Sequence, residues 1–92
     1  MDTGAAFSMM PEDMLRQAGL EPKEDRVFTL ADGSQRTYSI CEARLSLQGR
    51  DSINTVVFGP AGRFILGAIT LQNFGLLADT SHHRLVDAEL TL

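Results

Sequence analysis

Cys41, Ala43, Leu45 and Leu47 alternate with Glu42, Arg44, Ser46 and Gln48 without a break. An apolar residue at every second position gives one face to a core and one to water, as in a half-buried β-strand. A helix would scatter those four residues around its circumference. The flanking sequence extends the constraint. Residues 27–30 read as a strand, and Asp32-Gly33 after them is a strong signal for a two-residue hairpin turn. On the far side, Gly49-Arg50-Asp51 reads as a turn and residues 53–58 as a further β-branched strand. The middle of the chain is therefore a run of strands joined by short turns.

Two short helices are expected on either side of this region. Pro11 opens the first, with Glu12 and Asp13 complementing the positive end of its dipole. Gly19 ends it in a left-handed cap, and Leu20 follows as the apolar partner of that cap. After the break at Gly59-Pro60-Ala61-Gly62, Phe64-Ile65-Leu66 reads as a short buried strand running into Gly67. The second helix is expected over residues 69–74, and Gly75-Leu76 repeats the earlier stop. Asp79 ends an apolar stretch and reads as structural, and a polar turn containing Ser81, His82 and His83 follows it. The tail from Arg84 onward alternates, with Ala88, Leu90 and Leu92 opposite Glu89 and Thr91.

With 92 residues, of which 43% are hydrophobic and 22% charged, residues 1–92 form one globular domain on this reading. A core this small makes oligomerisation a natural source of stability. The net charge of −4 carries no basic cluster, and Lys23 is the only lysine, which argues against a nucleic-acid partner. One cysteine, Cys41, excludes an internal disulfide and a paired-cysteine metal site. On the apolar face of its strand it reads as a small buried hydrophobe. No apolar run approaches the roughly 20 residues that span a bilayer, and no leader is recognisable. The expected location is cytoplasmic, with no membrane partner.

Asp2 stands among small and apolar residues, where a buried carboxylate must be paired, hydrogen-bonded or functional. Hydrolysis by two carboxylates needs them about 3 Å apart, sharing one proton so that one is base and the other acid. Gly4 would let two such loops approach, and Thr3 would hydrogen-bond to the opposing loop. One chain offers one Asp-Thr-Gly triplet, so the chemistry requires two chains about a two-fold axis. By itself the triplet is equally readable as an N-terminal turn.

Its context makes the chain resemble the retropepsin-like aspartic proteases, the retroviral enzymes and their bacterial relatives. The resemblance begins with Asp2-Thr3-Gly4-Ala5 and Ser8 and continues through the hairpin LADGS and the strand ending Leu47-Gln48-Gly49-Arg50. It closes on INTVVFGPAGRFILGAITLQNFGLLAD, which looks like the family's strand, Gly-Pro turn, apolar-apolar-Gly element and C-terminal helix. The resemblance implies a mostly β acid-protease fold, a closed barrel-like subunit with a flap hairpin and one or two short helices.

It also implies an aspartic endopeptidase acting on a peptide or protein substrate as a homodimer, with no cofactor and no metal. Asp2 would be the catalytic acid/base, Thr3 the loop-clamping hydroxyl and Gly4 the close-approach residue. Ala5 would lie along the substrate cleft, and Ala31, Asp32, Gly33 and Ser34 would form the flap, with Asp32 a turn residue and not a second catalytic carboxylate. Ile65-Leu66-Gly67 would thread beside the catalytic loop, and Arg63 would stand near the cleft wall. The alternative is a non-catalytic peptide-binding or dimerisation module of the same fold.

The family places strands ahead of its Asp-Thr-Gly, whereas only Met1 precedes Asp2 here. The expectation is a truncated, misassigned or variant start, with the alternating tail standing in for the absent strand at a dimer interface. His82-His83 reads as an exposed turn and not a metal site, because adjacent residues in a strand point to different faces.

Overall fold

The computed structural model of the chain describes residues 5–79, 82 and 84–88. Its elements are β1 (Ser8–Pro11), α1 (Glu12–Gln17), β2 (Glu24–Thr29), β3 (Gln35–Leu47), β4 (Arg50–Gly59), α2 (Ala68–Asn73), β5 (Leu76–Asp79) and β6 (Arg84–Asp87). The first four strands form one sheet in the order β1-β4-β3-β2, and β5 and β6 form a separate hairpin. The expected β-rich chain with two short helices is present. Among the described residues the main sheet is open, so the expected closed barrel is not seen.

β3 pairs antiparallel with both β2 and β4, while β1 runs parallel to β4 with Ser8 opposite Val56 and Met10 opposite Phe58. Two turns set this meander, and both differ from the sequence expectation. Leu47 pairs with Arg50 around Gln48 and Gly49, whose φ angles are +52° and +76°. Two consecutive left-handed residues make a two-residue turn whose twist matches the flanking strands. The turn thus sits one residue earlier than Gly49-Arg50-Asp51, and Arg50 and Asp51 already belong to β4.

The β2–β3 connection is longer than two residues. Gly33 N–H donates to the Leu30 carbonyl at 2.9 Å, and Leu30 N–H donates to the Ser34 carbonyl at 2.7 Å. Ala31, Asp32 and Gly33 form a three-residue loop with Gly33 at φ +85°, a turn followed by a left-handed residue. The Asp-Gly pair does form the turn, but glycine takes the bulge position after it.

α1 begins after Pro11, which ends β1 in an extended conformation rather than entering the helix. It closes as expected. Gly19 is left-handed at φ +87°, its N–H donates to Arg16, and Leu20 N–H donates to Leu15 at 3.0 Å. Leu15 and Leu20 then pack on Cys41, Ala43, Val56 and Phe58. The alternation of β3 is therefore read out physically: Cys41 and Ala43 are buried, whereas Glu42, Arg44 and Ser46 are exposed. Further along the same face, Leu45 and Leu47 meet Leu71 of α2, Phe74 just beyond its end and Leu76 of β5.

The opposite face of the sheet carries a second apolar group, with Met9, Ile40 and Val57 buried and Phe28, Tyr38 and Ile65 packed against them. β4 thus has apolar material on both sides, which is why Val56, Val57 and Phe58 are consecutive and all buried. Phe64-Ile65-Leu66 does not form the expected strand. Ile65 alone pairs, antiparallel to Met9, and Phe64 is exposed. No helix among the described residues is long and apolar enough to cross a membrane.

Candidate active site

β1 lies between a parallel neighbour, β4, and the antiparallel bridge from Ile65. Met9 exchanges two hydrogen bonds of 2.9 Å with Ile65. This flanking on both sides fixes the segment that leads into β1. Residues 5–7 are held from below by the start of α2, where Ala68 N–H donates to the Ala5 carbonyl at 2.9 Å and Ile69 N–H to the Ala6 carbonyl at 3.0 Å. Free N–H groups at a helix start are natural donors to such carbonyls.

Ser8 secures the same junction with its side chain. Its Oγ accepts from Gly67 N–H at 3.0 Å and shares a hydrogen bond of 2.6 Å with Thr70 Oγ1. Ser8 and Thr70 are both essentially inaccessible to water. Gly67 is required by contact rather than by its backbone angles, since a Cβ there would lie 2.4 Å from the Phe7 carbonyl carbon and 2.5 Å from the Ala6 oxygen. The Ile65-Leu66-Gly67 element lies against residues 6–9, and the catalytic loop beside which the resemblance put it lies outside the described residues. Thr70 escaped the sequence reading. Its signal was a hydroxyl among Ala68, Ile69 and Leu71, since a polar side chain inside an apolar helical stretch needs a buried partner.

Residues 5–7 open onto a cleft of about 1040 Å³ that runs over the second face of the sheet. Phe28, Tyr38, Ile40, Val57 and Met9 contribute its apolar floor. The aromatic rings are organised: Phe7 and Phe28 meet edge to face with centroids 5.6 Å apart, and Phe28 and Tyr38 lie tilted at 6.1 Å. Phe28 pairs with Arg36 and Tyr38 with Arg26, so these two rings are diagonal neighbours on one face of the β2–β3 ribbon. This group was not anticipated from sequence, because Phe7 joins it only through the fold.

Of the expected cleft residues, Ala5, Ala31 and Asp32 line the cleft, and so does Arg63. Gly33 and Ser34 stand at the hairpin tip without lining it. Asp32 Oδ1 accepts from Ser34 Oγ at 2.6 Å and from Ser34 N–H at 2.9 Å. The Ser34 hydroxyl is the chief cause, with the Ser34 amide next, of an Asp32 pKa below the usual carboxylate value. This carboxylate ties the turn. Cys41 sits in the core beneath α1, and burial pushes its thiol pKa up, away from the reactive thiolate.

Asp2, Thr3 and Gly4, the expected catalytic triplet, lie outside the described residues, as do Ser81, His83 and the tail from Glu89. Ala5 is the first residue described after the triplet. His82 is exposed.

The family model for aspartyl protease matches residues 1–76. No curated protein and no solved structure matches the chain.

Proposed function

Since the chain belongs to the aspartyl protease family, we propose that it is an endopeptidase in which Asp2 supplies one of two carboxylates at the two-fold axis of a homodimer. In this reading one carboxylate is ionised and takes a proton from a water, while its protonated partner donates to the scissile carbonyl. Like charges at about 3 Å hold one proton between them, which prepares both roles. Thr3 and Gly4 let two loops meet, by a hydroxyl and by the absence of a side chain. The hairpin of residues 30–34 closes over the bound peptide and excludes water. The substrate is a peptide segment laid along the apolar floor, and the nucleophile is water, so the chemistry calls for no cofactor.

The observation that carries this reading is the anchoring of residues 5–8. Backbone bonds from Ala68 and Ile69 and the buried Ser8, Gly67 and Thr70 network hold the stem that follows Asp2-Thr3-Gly4 at one side of the cleft. A positioned carboxylate needs a stem that does not move, and this one is fixed by groups from a distant part of the chain. The test is cleavage of a mixed peptide library between pH 4 and 7 by the chain and by Asp2→Asn, alongside its mass by sedimentation. Cleavage that vanishes in the variant, from a dimeric protein, supports the proposal. Cleavage by a monomer overturns the shared site, and peptide binding indifferent to Asp2→Asn with no cleavage indicates a non-catalytic module.

A further inference from the structure

We infer that Arg63 gives this cleft a preference for peptides carrying an acidic side chain, an inference that deepens the hydrolase reading and rests on it. Arg63 lines the cleft and is exposed. Its root is fixed. Arg63 N–H donates to the Pro60 carbonyl at 3.2 Å across a turn closed by left-handed Gly62, and two residues on Ile65 is clamped to Met9 by two hydrogen bonds. The Arg63 side chain is thus carried on a hydrogen-bonded turn at the edge of the apolar floor.

Among the described residues, the other charges facing this cleft are Lys23, Glu24, Arg26, Asp32 and Glu42. Arg26 and Glu24 satisfy one another at 3.0 Å, and Asp32 is occupied by Ser34. Glu42 stands where the cleft meets a smaller hollow lined by Ile53, Ile69 and Asn73. Among the described residues no ion pair involves Arg63. Among the described residues, then, the cleft presents a guanidinium that no ion pair occupies. A guanidinium offers a planar fork that a carboxylate meets with two parallel hydrogen bonds, and a lysine such as Lys23 offers only a point charge. A Glu or Asp side chain of a bound peptide is the group that completes it.

The test uses the full chain and labelled apolar decapeptides in which Glu or Gln is stepped through each position. Binding is read by anisotropy and cleavage by mass, for the native protein, Arg63→Gln and Arg63→Glu. The expected result is one position at which Glu is favoured over Gln by about two- to fivefold, as for an exposed ion pair. The preference falls to about unity in Arg63→Gln, reverses in Arg63→Glu, and shrinks as salt is raised. Equal affinity for Glu and Gln at every position overturns the inference, as does a preference that survives Arg63→Gln. Peptides cut without any Glu preference leave the hydrolase reading standing and remove the role of Arg63. Peptides bound with that preference but never cut do the reverse.

Discussion

Ser8 and Thr70, 62 positions apart, share a 2.6 Å hydrogen bond from which water is excluded. The bond ties β1 to α2, and with Gly67 N–H it makes one closed network around the stem of the candidate catalytic loop.

Ser8→Ala is expected to destabilise the fold by about 1–3 kcal/mol for each buried group left without a partner, here the Thr70 hydroxyl and the Gly67 amide. Chemical denaturation measures this. Adding Thr70→Val to Ser8→Ala should restore part of the loss, because the orphaned hydroxyl is then gone. A double variant as unstable as the sum of the single variants would show that the two side chains do not act together.

Gly67→Ala tests the close approach itself. A methyl group there meets main-chain atoms of Ala6 and Phe7, which cannot rotate away as a side chain would. A loss of about 3 kcal/mol is expected, with peptide cleavage falling further than stability because residues 5–7 are displaced from the cleft. Unfolding and activity curves matching those of the native chain would contradict the packing described.

Much of this fold was legible in the sequence for a simple reason. In β3, Cys41, Ala43 and Leu45 face a core and their neighbours face water, so the period of two is written in residue type. The caps at Gly19 and Gly75 were legible because left-handed backbone selects glycine. The turn at Gln48-Gly49 was misplaced because glutamine is not a residue that announces a positive φ. The single Met9–Ile65 bridge has no pattern of its own, and Phe64 next to it misled by being apolar and exposed. In the site, the Ser8 and Gly67 positions were visible through family resemblance. The Thr70 partner and the Phe7, Phe28 and Tyr38 group depend on contacts between distant segments.

The hairpin tip has its own pH signature. Ser34 holds the Asp32 carboxylate below its ordinary value of 3.8, so the folded state favours the ionised form. The resulting stability is present above the unfolded pKa and is lost as pH falls through the lower folded one. Ser34→Ala should raise the Asp32 pKa towards the ordinary value, as read by carboxyl NMR. An unchanged titration would mean that the hydroxyl and carboxylate do not interact in solution.

Cys41 should resist thiol reagents at pH 8 in the folded protein and react at a normal rate once denatured. Its burial among Leu15, Ala43, Val56 and Phe58 both blocks access and disfavours the thiolate. Rapid labelling of the native chain would place Cys41 outside the core.

The most direct test of the central claim is peptide-library cleavage from pH 4 to 7 by the native chain and by Asp2→Asn, prepared and assayed side by side. The account predicts cleavage by the native protein and a loss of at least about a hundredfold in the variant, the scale of a removed acid–base group. Cleavage that persists undiminished in Asp2→Asn would contradict it.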